Sequence, residues 1–182
     1  SYTLEQINEL RRYLATVRPK EAARFFPQRR SGEKLQVITV ANFKGGSAKT
    51  TTSVYLAQGL ALQGYRVLAI DLDPQASLSA MFGYQPEFDV AENTTIYGAI
   101  RYDDQRVAMK DVIRKTYFTG ISIVPGNLEL MEFEHQTPRF MLQNRGRPED
   151  LFFRRVASAI DQVKDEYDIV VVDCPPQLGF LT

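Results

Sequence analysis

The stretch that decides the fold is VANFKGGSAKTTTS, Val40 to Ser53. It has the outline of a phosphate-binding loop, G-x-x-x-x-G-K-[ST], but departs from it twice. Phe43 stands where the pattern has its first Gly, and Ala48 where it has its last. A further lysine, Lys44, precedes the two glycines. The apolar, β-branched LQVITVAN leads in and reads as a buried strand. KTTTSVYLAQGLALQ leads out and reads as a helix, stopped by Gly64. A Gly-rich turn between strand and helix sets successive N–H groups, those of residues 45–50, around a concave site at the positive end of a helix. Such a site favours phosphate. Gly45 and Gly46 permit close approach, with Ser47, Ala48 and Thr51 completing the loop and first turn. Lys49 is spaced to reach β- and γ-phosphates, and Thr50 to offer its hydroxyl to Mg²⁺.

Two more stretches end apolar strands on carboxylates. YRVLAIDLDPQAS carries Asp71 and Asp73 at i and i+2, followed by Pro74 and Gln75. Residues two apart on a strand face one side. In an open α/β sheet the carboxyl ends of strands are where ligands bind, and a carboxylate such as Asp73 there can hold a Mg²⁺-bound water or polarise the attacking water. YDIVVVDCPPQLG carries Asp173, then Pro175, Pro176 and Gly179. It has the form of a strand that supports Mg²⁺ through a water and runs into a switch loop.

Around these motifs, near-continuous apolar strands alternate with helices. GISIVPG adds a short strand and EDLFFRRVASAIDQVKDE an amphipathic helix, with Leu151, Phe152, Val156, Ile160 and Val163 inward. The expected fold is α/β, a P-loop NTPase with a mostly parallel sheet covered by helices on both faces. Residues 84–118 read as two short helices with loops. His135, the only histidine, falls in a polar loop, and the Arg-rich stretch 139–155 reads as a solvated helix start, with a DNA or partner surface as the alternative.

Residues 1–34 read as a helical segment and linker, and 35–182 as the ATPase domain. SYTLEQINELRRYL has helical periodicity, with Thr3 and Gln6 set for a capping box. PKEAARFF gives a second short helix, and Pro27 to Lys34 a linker. Residues 1–35 hold eight Lys/Arg against four Asp/Glu, although the chain's formal net charge is zero. That imbalance is a weak pointer to nucleic acid.

The 182-residue chain has one cysteine, Cys174, which excludes an internal disulfide and fits a reducing compartment. It reads as a small apolar filler. No apolar run is long enough to span a membrane. The chain has no initiator Met and stops soon after the third motif, so it reads as a fragment.

KGGSAKTT at 44–51 resembles the deviant Walker A motif, DLDPQAS the A′ motif and VVVDCPPQLG the Walker B motif of the ParA family of DNA-partition ATPases. The likeness extends to RepA proteins of repABC plasmids through ANFKGGS, VPGNLELMEFEHQTPR and DCPPQLGFLT. Residues 1–17 resemble the tail of a MerR-like winged helix-turn-helix module. The resemblance implies a cytoplasmic, nucleoid-associated ATPase that binds ATP and Mg²⁺ and forms a homodimer on ATP. Lys44 would reach the partner's phosphates and Asp73 would position the attacking water. The dimer would bind DNA, non-specifically and at its own operator, and a ParB-like (RepB-like) protein would stimulate hydrolysis. Two other readings stay open: a DNA-binding repressor with a regulatory nucleotide site, and a MinD-like positioning ATPase. An iron-protein-like reductase needs more cysteines than this chain has. Ala48, in place of the commoner Gly, is expected to leave nucleotide binding intact.

Overall fold

The computed structural model describes residues 1–30, 32–143 and 152–176. Its centre is a five-stranded sheet in the order β1-β5-β2-β4-β3: β1 Gln36–Val40, β2 Val67–Asp71, β3 Arg114–Lys115, β4 Ile121–Val124 and β5 Ile169–Asp173. All pairings are parallel except β3 with β4, which makes the sheet mostly parallel, as expected.

Alternate residues of each strand feed two separate cores, as the two-residue period of a strand requires. Val67, Ala69, Ile123, Ile169 and Val171 pack with Val54, Ala57 and Ala61 of α3 (Lys49–Gln63) and with Leu78 and Phe82 at α4 (Ser77–Met81). Leu68, Ile70, Val124, Val170 and Val172 face the other way. They pack with α6 (Ile96–Ile100), with Leu130 and Phe133 of α8 (Glu129–Gln143), and with Val156 and Ile160 of α9 (Phe152–Asp161). Val163, just past α9, is buried with them. Leu151 and the Phe152 side chain lie outside the described structure.

Four expectations change. First, β1 is not a buried strand. Among the described residues it lies at the sheet edge, paired with β5, and Val37 is 49% exposed. Its apolar character matches strands that are covered on both faces, whereas here Val37 and Thr39 line an open groove of about 840 Å³ beside α9. Second, residues 84–118 hold three short helices rather than two: α5 (Pro86–Asp89), α6 and α7 (Met109–Val112), followed by β3. Each helix is four or five residues long, too short for a periodic signal.

Third, His135 lies in α8, not in a loop. Pro138 sits inside that helix and withholds an N–H from it, the reason the segment reads as broken. The Thr137 hydroxyl donates to Phe133 O nearby. Fourth, the arginine at the end of the basic stretch is not a solvated side chain. The Arg155 guanidinium lies 4.2 Å from the centre of the Tyr102 ring and donates to Arg101 O. Residues 144–151 are outside the described structure.

At the N-terminus, α1 (Leu4–Val17) carries the expected Thr3/Gln6 capping box, and α2 (Ala22–Phe25) follows a 3₁₀ turn, Pro19–Glu21. The segment after α2 is strapped to the sheet rather than loose. Asp168, buried just before β5, accepts hydrogen bonds from the Arg29 N–H at 2.9 Å, the Arg66 N–H at 2.8 Å and the Arg66 guanidinium at 2.9 Å. Burial raises the Asp168 pKa, but the Arg66 side chain and the two N–H donors outweigh it, and the net shift is downward.

Removing that carboxylate strands three donors. Asp168→Ala is expected to destabilise the fold by about 2 kcal/mol, less than for a fully buried pair because Arg66 keeps some solvent. The urea midpoint measures it. The loss should shrink as pH falls through the lowered pKa, because protonation removes the same interaction in the parent.

Candidate nucleotide site

The register builds the site. In the sheet, β5 lies between β1 and β2, so Asp173 pairs with Val40 on one side and Asp71 on the other. Val40 is where the loop of the first motif begins. Three stretches far apart in sequence thus meet at the carboxyl ends of adjacent parallel strands.

The loop meets the requirements of an anion cradle. The N–H groups of Gly45 to Thr51 donate to no acceptor among the described residues. They include the first turn of α3, where the helix dipole is positive. Gly46 has φ +71, a left-handed conformation that glycine adopts freely. Ala48, the N-cap of α3, is left-handed too, at φ 59 and ψ 25, and this is why a glycine is the natural residue there. Its methyl group makes the conformation cost about 1 kcal/mol. The helix then starts without a side-chain cap, although the Thr52 hydroxyl donates back to Ala48 O at 2.8 Å.

Lys49 and Thr50 are half-buried at the start of α3. The Ser53 hydroxyl, one turn on, is fully buried and lies 2.9 Å from Asp173 Oδ1. Burial raises the Asp173 pKa, with the Asp73 charge adding to it. The hydroxyls of Thr50 and Ser53 and the Lys49 ammonium oppose the rise. Among the described residues, Asp173 Oδ2 is buried without a hydrogen-bond partner, and so is Ser47 Oγ in the loop. Two orphaned polar atoms beside a row of free N–H groups are what a phosphate-and-cation ligand would satisfy. Lys44 and Phe43 are exposed, Phe43 by 62%. The Lys44 N–H is held by Asn42 Oδ1, which fixes the backbone but leaves the ammonium to solvent.

The two aspartates of the second motif part company. Asp71 turns inward, where its Oδ2 accepts from the Ser79 N–H at 2.8 Å and the Ser79 hydroxyl at 2.7 Å. Ser79 Oγ also accepts from the Gly126 N–H, which joins β2, α4 and the turn after β4. A Cβ on Gly126 would meet Asp71 O at 2.7 Å, so only glycine fits there. Burial pushes the Asp71 carboxyl up to about 7, against the pull of Ser79. Asp73 stays at the rim: it is 9% exposed, and its Oδ1 accepts from the Gln75 N–H at 2.9 Å. Pro74 and Gln75 line a smaller groove beside it. Sequence spacing placed both aspartates on one side of the strand, and Ser79 is the partner it did not reveal.

Cys174 is buried in the core, and burial with the neighbouring Asp173 pushes its thiol up to about 11, which makes it inert. Pro175 follows it and is buried, Pro176 is half-buried, and Gly179 lies outside the described residues. Among the described residues, no group of three or more His, Cys, Asp or Glu is set to hold a metal, and no helix is long and apolar enough to cross a membrane.

With this geometry in place, comparison with known proteins is informative. A family model described as AAA domain matches residues 35–182. The chain belongs to this family, in its ParA/MinD-type branch. A Rhizobium rhizogenes protein that carries the name replication protein A is 59% identical over 181 residues, all of this chain and 44% of that protein. The chain therefore spans under half the length of that relative. Among solved structures, the fold resembles cobyrinic acid a,c-diamide synthase from Mycobacterium smegmatis, solved with an ATP analogue and magnesium. The TM-score is 0.68 at 30% identity, over 81% of this chain and 54% of that one. A plasmid partition protein of Borrelia burgdorferi gives a TM-score of 0.65 at 25% identity, over 81% and 59%.

Two measurements test the site. Ala48→Gly should raise the melting temperature by about 2 °C, since relief of the left-handed methyl slightly exceeds the entropy glycine adds to the unfolded chain. Asp71 tests the buried carboxyl. Its folded pKa of about 7 lies above the ordinary 3.8, so the folded state holds the proton more tightly. Its contribution to stability is complete below about pH 4 and is lost as pH rises through 7. Asp71→Asn removes that dependence. The urea midpoint of the variant relative to the parent should therefore climb between pH 5 and pH 8, and a constant difference would mean that Asp71 does not titrate there.

Proposed function

We propose that this chain is the nucleotide-binding part of an ATP-driven DNA-partition protein. The observation that carries the reading is the row of N–H groups from Gly45 to Thr51 that no described residue accepts, which lies beside an Asp173 oxygen likewise without a partner among the described residues. A triphosphate with its cation supplies both missing partners. The similarity to a plasmid partition protein and to a structure that holds an ATP analogue and magnesium supports the choice of ATP and of cargo.

In this reading the loop N–H groups and Ser47 bind the phosphates, and Lys49 neutralises the β- and γ-groups. The Thr50 hydroxyl and Asp173, the latter through a water, hold Mg²⁺, which adds positive charge beside the phosphates. A cation that keeps its waters and takes oxygens from the nucleotide needs no dense carboxylate cluster. Asp73, on the rim, orients the attacking water and accepts its proton. Asp71, Pro74, Gln75, Pro175, Pro176 and Gly179 form the segments that respond to the γ-phosphate. Lys44 is exposed on the loop and acts across a homodimer, on the partner subunit's nucleotide, where charge develops in the transition state.

The protein works in the cytoplasm on the nucleoid. The ATP dimer binds DNA, a ParB-like protein stimulates hydrolysis, and residues 1–34 continue a DNA-binding module through which the protein represses its own operon.

Lys49→Ala is expected to lose nucleotide binding, read by fluorescent ATP-analogue titration. Asp73→Ala should keep binding and lose about a hundredfold in turnover. Lys44→Ala should bind nucleotide as a monomer but fail to dimerise or turn over, as seen in sedimentation and phosphate release. Unchanged turnover in Lys44→Ala would remove the cross-dimer role. Turnover that ignores both DNA and a ParB-like protein would favour a repressor with a regulatory nucleotide site.

A further inference from the structure

The turn that presents Asp73 is closed by hydrogen bonds to one carboxylate. Asp71 Oδ1 accepts from the Asp73 N–H at 3.2 Å, and Asp71 Oδ2 accepts from the Ser79 N–H at 2.8 Å. The carboxylate thus spans residues 73 and 79 and brackets the segment between them. It also stands in for a helix cap. Ala76, the N-cap of α4, has no side-chain oxygen to offer the first N–H groups of that helix.

The Ser79 hydroxyl governs how firmly the bracket is held. It has one proton to give. Its oxygen accepts from the Gly126 N–H at 3.1 Å, so the proton goes to Asp71 Oδ2 at 2.7 Å. One side chain therefore ties the end of β2, the start of α4 and the turn after β4. The Gly126 backbone packs straight against the motif: a Cβ there would stand 2.7 Å from Asp71 O and 3.0 Å from Asp73 O. That turn is the wall against which Asp73 is set, and the hydroxyl keeps wall and bracket in register. Asp71 and Ser79 are wholly buried. Loss of the hydroxyl would leave a carboxylate oxygen and the Gly126 N–H each short of a partner that water does not readily replace. Ser77, two residues earlier in the same helix, is exposed.

We propose that Ser79 is a positioning residue for the water-orienting group: through Asp71 it sets the backbone of Asp73, and so the place of the Asp73 carboxylate. Ser79 itself touches no reacting atom. A carboxylate displaced by a fraction of an ångström slows the chemistry, whereas the loop of residues 45–51 holds the phosphates as before. The effect on hydrolysis rests on the ATPase reading above, whereas the hold on the Asp73 backbone does not.

The test uses the full chain and two independent readouts. In Ser79→Ala the Asp73 amide should exchange with deuterium about tenfold faster, read by NMR, while the Ile70 amide on the preceding strand keeps its rate. Turnover should fall about tenfold with nucleotide affinity unchanged, so the loss appears in kcat rather than KM. Ser79→Cys, which fills the same space with a far weaker donor, should show the same loss and so separates the hydroxyl from the cavity. Ser77→Ala should match the parent. In an Asp73→Ala background, Ser79→Ala should cost no further turnover, because its effect runs through the carboxylate already removed. An equal loss in both backgrounds would mark a merely structural serine and overturn the proposal. So would an Asp73 amide that Ser79→Ala leaves as protected as in the parent. A parent without turnover removes the ATPase reading, and the Asp73 amide then decides the bracket alone.

Discussion

The placement of β5 between β1 and β2 is the constraint on which the site depends. The chain passes from β1 through α3 to β2 and leaves a gap one strand wide, which β5 fills from nearly a hundred residues later. Because all three strands run the same way, their carboxyl ends lie together at one edge. The helix dipole of α3 and the ends of three strands thus converge on one small volume. Asp173 stands at its centre, with the Val40 loop on one side and Asp71 on the other. The same strand begins beside Asp168, whose carboxylate straps the N-terminal segment to the far edge of the sheet. One five-residue strand therefore anchors the segment before the domain at one end and the candidate site at the other.

Burying carboxylates at such an edge costs free energy unless donors meet them. The three aspartates are met differently. Asp71 takes Ser79 as a partner and becomes part of the scaffold. Asp173 takes Ser53 on one oxygen and leaves the other open. Asp73 takes its own turn, through Gln75. The donors come from α3, α4 and the residues just after β2, elements whose only shared feature is proximity to these strand ends.

Much of this was legible in the sequence, because the motifs combine spacing with chemistry. The loop, both Asp-ending strands and the helix after the loop follow from the residues alone, since buried parallel strands read as unbroken apolar runs and Gly64 marks the helix stop. What escaped was tertiary in origin. β1 looks as apolar as β2 and β5, and nothing in QVITV tells that most of it is exposed. Pro138 hid α8, whose Leu130 and Phe133 are core residues. Ser79 follows the motif by a few residues and looks like any helix-start serine. The strap at Arg29 relies on a backbone N–H, a donor that every linker residue but proline possesses.

Ala48 shows how local cost and site geometry are joined. The loop must turn sharply so that the N–H groups from Gly45 onward face one volume, and the turn puts residue 48 in the left-handed region. A glycine would sit there without strain. Alanine is the smallest residue with a Cβ and keeps the turn at a cost of about 1 kcal/mol, small beside what a row of N–H groups gains from a bound anion. Nor does the methyl block the cradle, since Ala48 is exposed and the neighbouring Gly46 would have open space even around an added Cβ. The Ala48 departure of this loop and its added Lys44 thus differ in kind. Ala48 is a tolerated strain within one chain, whereas Lys44 is a charge exposed to solvent on a backbone held by Asn42 Oδ1. In the reading proposed above, that charge serves the nucleotide of a second copy of the chain.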